Sequence, residues 1–161
     1  MKRLAVFTAL AAACAPMNKT NSDDACAGAP EGELSVQGAW VRPATAGQTT
    51  TALYGVICNR TGAPQALVSV GADGVAAVVE LHETRRTAEG QVSMAQIGRL
   101  DVPANGATLA PGGAHVMLIG LGGALEEGAS ANVVFNFESG VSIPVAAPVR
   151  AGDASASGHQ H

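Results

Sequence analysis

Apart from the two ends of the chain, all of its histidine and methionine residues fall within 36 consecutive positions. They are His82, Met94, His115 and Met117, spaced as His, eleven residues, Met, twenty residues, and His-x-Met. Thioether sulfur and imidazole nitrogen form a soft, uncharged ligand set that favours Cu(I) over hard cations, which prefer oxygen. A single surface His or core Met has an ordinary structural explanation, but their clustering predicts a soft-metal site.

The sequence predicts that these four residues lie on β-strands or at their ends. Short apolar stretches recur between Gly, Pro, Asn and Asp, and no window of useful length has the 3.6-residue period of a helix. Closely spaced strands of this kind favour an all-β fold, a β-sandwich or Greek-key barrel. The predicted strands are 34–41, 50–59, 66–70, 76–83, 92–97, 107–109, 115–121, 130–138 and 141–149.

Strand geometry indicates how the candidate ligands could meet. His115 and Met117 are two residues apart, so a strand places both side chains on one face. His82 ends the predicted strand 76–83, and a turn at 89–90 would bring Met94 back near it. Two strand pairs are therefore expected to converge on one site.

The first 14 residues have the pattern of an export signal. Lys2 and Arg3 precede the apolar run 4–13, which is too short to cross a bilayer as a stable helix. Small residues before Cys14 resemble a bacterial lipobox and predict lipidation there, with cleavage at an Ala-x-Ala site as the alternative. Residues 15–33 then have the composition of a flexible linker.

Two further cysteines, Cys26 and Cys58, leave two interpretations open. In an oxidising compartment they could form a disulfide that attaches the linker to the domain. Alternatively, Cys58 is a free buried thiol on a strand and Cys26 is unpaired.

Composition and motifs argue against several classes of function. A net charge of -4 and a pI of about 5.4 give no basic patch for nucleic acid. An electron-transfer cupredoxin needs a His₂Cys set, and no Cys lies just before His115. The sequence lacks His-Glu-x-x-His and Gly-x-Ser-x-Gly, so we do not expect an enzyme. A metal-free secreted β-sandwich for adhesion or assembly remains an alternative.

Four stretches of the sequence resemble the periplasmic copper chaperone family called PCuAC, and the resemblance covers about Leu34 to Arg150. They are Ala-Trp-Val-Arg-Pro at 39–43, Val-Glu-Leu-His-Glu-Thr at 79–84, Leu-Ala-Pro-Gly-Gly-Ala-His-Val-Met-Leu-Ile-Gly-Leu at 109–121 and Pro-Val at 144–145. The most specific feature is the His…Met…His-x-Met pattern together with the Leu-Ala-Pro-Gly-Gly run.

The resemblance implies a cupredoxin-like β-fold that binds Cu(I) through two His and two Met. Transferred to this chain, the ligands are His82, Met94, His115 and Met117. The implied role is delivery of copper to the CuA centre of cytochrome c oxidase, in the periplasm or cell envelope of a bacterium. The implied partner is an oxidase subunit or another copper chaperone of its assembly. A copper storage or resistance role would use the same site.

The remaining features concern the domain's surroundings. Residues 34–150 are predicted to be the copper-binding domain and residues 151–161 a disordered tail. His159 and His161 are secondary Cu(II) candidates, because imidazole suits Cu(II), although the tail could equally be an inert polar end. Arg42 and the pair at 85–86 could contact an acidic acceptor or be ordinary solvated charges. Membrane contact is expected only through a lipid anchor at Cys14.

Overall fold

The computed structural model describes residues 25–152, and its regular elements there are ten strands. They are β1 (Leu34–Val41), β2 (Thr50–Asn59), β3 (Gln65–Gly71), β4 (Ala76–Arg86), β5 (Val92–Ile97), β6 (Leu100–Val102), β7 (Ala107–Leu109), β8 (Ala114–Leu121), β9 (Ser130–Phe137) and β10 (Ser142–Pro148). The all-β prediction is therefore confirmed.

The strands form two sheets packed as a sandwich. The first has the order β1-β2-β8-β4-β5, with β7 also paired to β2, and the second has the order β10-β9-β3-β6. A parallel bridge between Val41 and Val149 joins them at one edge. The largest fully buried side chains include Phe135, Leu53 and Leu118. Burying each such side chain contributes about 1.5–3 kcal/mol, and this core fixes the first sheet in place.

The alternation of buried and exposed residues explains why β9 is a strand. Ala131, Val133, Phe135 and Phe137 are buried, while most of the residues between them are exposed. A strand places alternate side chains on opposite faces, so this sequence buries one face and leaves the other in solvent. The turn at 138–140 closes the predicted hairpin with β10, and Gly140 supplies a φ of 86°.

A β-bulge in β1 decides which side chain faces the candidate site. Gln37 pairs with Val56, but Trp40 pairs with Tyr54, so β1 contains one extra residue between the two pairs. Gly38 lies in this irregularity with a φ of 56°, a conformation that glycine adopts without steric cost. Without the bulge Ala39 would lie opposite Tyr54, and Trp40 would point to the other face.

Four strands, β3, β8, β9 and β10, differ from their predicted bounds by one residue at one or both ends, and two others differ by more. β4 runs three residues past the predicted end at 83, because the polar residues up to Arg86 still pair with β5. β6 was missed, since three residues are too few to show alternation, and it is held by pairing with β3.

The disulfide alternative for the two cysteines is the one observed. Cys26 and Cys58 are bonded, with their Cα atoms 5.5 Å apart, and both are buried. The bond joins the segment before β1 to β2, as expected for an oxidising compartment.

Several predictions concern residues 1–24 and 153–161, which lie outside the described part of the chain. The export signal, lipidation at Cys14, most of the linker, and the tail with His159 and His161 therefore stay predictions. Within residues 25–152, none of the helical structure is long and apolar enough to span a bilayer.

Candidate metal centre

Pairing of β4 with β8 brings three of the four candidate ligands together. His82 lies directly opposite His115, and the neighbouring pair on the same face is Glu80 with Met117. Opposite residues of an antiparallel pair share a face, and their Cβ atoms are about 4.5–5.5 Å apart. The two imidazole rings have centroids 5.9 Å apart. The side of the first sheet that bears His82, His115 and Met117 is called the ligand face below.

The fourth candidate reaches the same face through the β4–β5 hairpin. Its turn is closed by a hydrogen bond from the Thr87 N–H to the Gln91 carbonyl, 2.9 Å, and Gly90 has a φ of 83°. The resulting register places Met94 opposite Thr84, two residues along β4 from His82. The side chain of Met94 is 63% exposed, so it lies at the open side of the site.

The Leu-Ala-Pro-Gly-Gly run has a physical role in orienting His115. Pro111 and Gly112 form the centre of a turn closed by the Gly113 N–H donating to the Ala110 carbonyl, 3.0 Å, with a φ of 80° at Gly112. Pro followed by a Gly of positive φ is the sequence signature of a type II turn. The turn aims the Gly113 carbonyl at the buried ring of His115, whose Nδ1 lies 3.0 Å away.

That contact fixes the tautomer of His115. A carbonyl only accepts hydrogen bonds, so Nδ1 must carry the proton and donate it. The lone pair of the neutral imidazole is then on Nε2, where a metal ion can bind. A ligating His commonly donates its other N–H to a carbonyl or carboxylate in this way.

His82 has the opposite arrangement. Its Nε2 lies 2.8 Å from Oε2 of Glu80, so Nε2–H donates to the carboxylate and the lone pair is on Nδ1. This Nδ1 is buried and has no hydrogen-bond partner among residues 25–152. A buried acceptor without a partner costs about 1–3 kcal/mol, which a bound cation would offset. The donor set therefore fits a soft metal ion.

An open cavity of about 360 Å³ adjoins these residues. Met94, His115 and Met117 line it together, and so do Tyr54 and Arg42. His82 does not line this cavity. Its ring lies next to that of His115, with the two ring centroids 5.9 Å apart. Met94, His115 and Met117 therefore border one cavity, and His82 lies beside them.

Aromatic residues extend the ligand face beyond His115. The Tyr54 ring lies 4.7 Å from Trp40 and 6.4 Å from His115, and the Arg42 guanidinium lies 5.7 Å from the Tyr54 ring centre. Burial raises the pKa of Tyr54 above its ordinary value, and the positive charge of Arg42 opposes that rise. Sequence reasoning missed Tyr54, although it is the chain's only Tyr and Trp40 its only Trp.

Carboxylates and imidazoles alone do not make a metal site here. In residues 25–152, no group of three or more His, Cys, Asp or Glu side chains is arranged to hold an ion. The thioethers of Met94 and Met117 are the soft donors that the strand register places on the same face as the two histidines.

Comparisons with known proteins agree with this architecture. The family described as "Putative lipoprotein LpqE-like" matches residues 34–149. A protein of Leifsonia xyli subsp. xyli named "Putative lipoprotein Lxx21020" is 37% identical over 119 residues, which is 73% of this chain and 69% of that protein.

Solved structures show the same fold. The solution structure of CuI-DR1885 from Deinococcus radiodurans is 31% identical, with a TM-score of 0.59 over 77% of this chain and 83% of that chain. The copper-bound PCuAC domain from PmoF2 has a TM-score of 0.62 at 23% identity, over 76% of this chain and 97% of that domain. The chain therefore belongs to the LpqE-like family, and its domain has the fold of the PCuAC domains.

Proposed function

We propose that this protein is an extracytoplasmic Cu(I) carrier that binds the ion through His82, Met94, His115 and Met117. It would deliver the ion to a cytochrome c oxidase copper centre, directly or through another chaperone of oxidase assembly. The proposal rests on the buried Nδ1 of His82, which has no hydrogen-bond partner among the described residues. The His82 ring lies 5.9 Å from the ring of His115, and Met117 is on the same face.

The spacing of the rings supports a shared ion. Two imidazoles that each bind one ion through a nitrogen at about 2 Å have ring centres within roughly 6 Å of each other. The rings of His82 and His115 are 5.9 Å apart. Their lone pairs lie on Nδ1 and Nε2, respectively, so the two residues would bind through different nitrogens.

The chemistry of the four ligands suits a carrier. All are neutral, so bound Cu(I) keeps its positive charge, and no thiolate holds it irreversibly. Thioethers also stay available in an oxidising compartment, where paired thiols become disulfides, as Cys26 and Cys58 have done. Because Met94 is exposed, an acceptor could displace it first and remove the ion by stepwise ligand exchange.

The relatives support copper as the ion that is carried and the cell envelope as the location. CuI-DR1885, which is 31% identical to this chain, is a Cu(I)-bound protein, and the PmoF2 domain is also copper-bound. The matching family and the relative from Leifsonia xyli are both described as putative lipoproteins, which supports an envelope location and lipid attachment at Cys14. Transport of copper needs no catalytic residue, so the proposed role is not enzymatic.

Anaerobic titration with Cu(I) against a chromogenic chelator tests the proposal. We expect one tight equivalent per chain, weakened on the order of 100-fold by His82→Ala, since loss of even outer-shell partners of a metal costs 10–100-fold. Val78→Ala, an exposed change on the same face of β4, serves as the control and should leave the affinity unchanged. Absence of competitive binding, or equal loss in the control, would overturn the proposal.

A further inference from the structure

The ligand face carries exposed arginines beside the metal ligands. Arg42 directly follows β1, where its N–H donates to the Ala52 carbonyl, and Arg86 ends β4. Both side chains are exposed. Within residues 25–152, neither has a carboxylate at ion-pair distance.

Acidic side chains of β4 do not neutralise these arginines. Glu80 lies on the ligand face and accepts the hydrogen bond from His82, so its single negative charge is outnumbered there by the two arginines. Glu83 alternates to the other face and pairs with Arg85 at 3.2 Å. The chain as a whole has a net charge of -4, so this positive region stands out against an acidic protein.

Exposed apolar side chains occupy the same face. Val92, Met94 and Val78 are 54%, 63% and 47% exposed, and the register of β5 and β4 places all three on the ligand face. Exposed apolar residues combined with arginine are typical of protein–protein interfaces.

We infer that the ligand face is the docking surface for the copper acceptor, a protein whose own copper ligands are bordered by Asp or Glu side chains. This inference rests on the proposed carrier function. Arg42 lines the same cavity as His115 and Met117, so a carboxylate that pairs with Arg42 comes next to the ion. Neutral ligands leave the charge of Cu(I) on this face, so the loaded protein attracts an acidic acceptor more strongly than the empty one.

An anionic membrane is the competing occupant of a positive face. Lipid surfaces are recognised by clusters of about four to eight basic residues. The ligand face instead presents two arginines at opposite ends of the site, and one of them borders a concave cavity. These features favour a protein with complementary carboxylates.

Copper transfer to defined probes tests the docking surface. The Cu(I)-loaded protein is mixed anaerobically with one of two Cys-x-x-Cys peptides, flanked by Asp or by Lys, and transfer is followed by stopped flow. At low salt we expect the Asp-flanked peptide to take copper on the order of tenfold faster, and the difference to shrink as salt rises. Arg42→Ala should reduce that preference.

The matched control is Arg99→Ala, which removes one positive charge beside the second sheet, where Arg99 pairs with Asp101 and Glu138. It should leave the preference intact. Equal rates for the two peptides, or equal effects of the two variants, would overturn the docking surface. Binding to phosphatidylglycerol vesicles that depends on Arg42 and Arg86, without a peptide preference, would overturn it in favour of a membrane. Failure to load Cu(I) at all would instead overturn the carrier function.

Discussion

The two strands that carry the proposed methionine ligands differ in how firmly they are held. β8 is central in its sheet, with β2 on one side and β4 on the other, and its Val116 and Leu118 are fully buried. β5 is an edge strand that pairs, among the described strands, only with β4, and four of its six residues are exposed. Met117 therefore lies on a strand held by pairing on both sides and by core packing, whereas Met94 lies where the chain has few neighbours.

Because of this difference, we expect the two strands to have different roles in copper binding and release. The proposed ligands on the central strand would be held in place before an ion arrives, which would reduce the conformational entropy lost on binding. A ligand on an exposed edge can move away without disturbing the core. We expect β8 to set the affinity for copper and β5 to set the rate of its release.

The largest expected difference concerns stability. Leu118→Ala on β8 should lower the free energy of unfolding by about 2–5 kcal/mol, because it leaves a cavity in the core. Val92→Ala on β5 should change it by less than about 0.5 kcal/mol, because that side chain is exposed. Urea denaturation followed by Trp40 fluorescence measures both. Similar losses would show that the two strands are held alike.

The next comparison uses the thioether on the central strand. Met117→Leu removes the sulfur and keeps the volume, so the fold should survive. We expect the Cu(I) affinity to fall on the order of 100-fold, at least as much as loss of an outer-shell partner costs. Competition with a chelator measures it. An unchanged affinity would remove Met117 from the ligand set.

A smaller effect is expected from the same substitution on the edge strand. Met94→Leu should lower the Cu(I) affinity on the order of tenfold, because an exposed ligand on an edge strand is less preorganised. Its main consequence should be faster dissociation, measured as copper release to excess chelator. Val92→Leu, on the same face of β5, is the control. A loss in Met94→Leu equal to that in Met117→Leu would contradict the division between β8 and β5.

The smallest expected effect concerns Tyr54 beside the central strand. Burial raises its pKa above the ordinary value of 10.0, while Arg42 acts to lower it, so Arg42→Ala should raise it further. The folded protein then keeps the phenol proton at a pH where the unfolded chain has lost it, so stability should fall as pH rises above 10.0. Absorbance titration of the chain's only Tyr measures the pKa. A lower pKa in the variant would contradict this electrostatic account.

Much of the fold could be predicted because its strands are bounded by turn residues. β1, β2, β5 and β7 begin and end at the predicted residues. β6 could not be predicted, since Leu100–Val102 is too short for a periodic pattern and depends on β3 for its pairing.

The candidate site could be predicted as a set of residues but not as a geometry. The spacing and soft chemistry of His82, Met94, His115 and Met117 predicted a shared site, and the strand register places all four on one face. The neighbouring Tyr54 could not be found this way, because its approach to His115 depends on pairing between strands far apart in the sequence.

The sequence by itself determined the residue types, the strand-forming pattern and the Pro111-Gly112 turn, because these depend on local chemistry and backbone conformation. Only the tertiary structure decided the rest. It placed His115 opposite His82, gave the two rings lone pairs on different nitrogens, joined Cys26 to Cys58, and put Met94 on an edge while Met117 lies at the centre. Those features arise from register, strand order and burial, which are set by long-range packing of the two sheets and leave no local pattern in the chain.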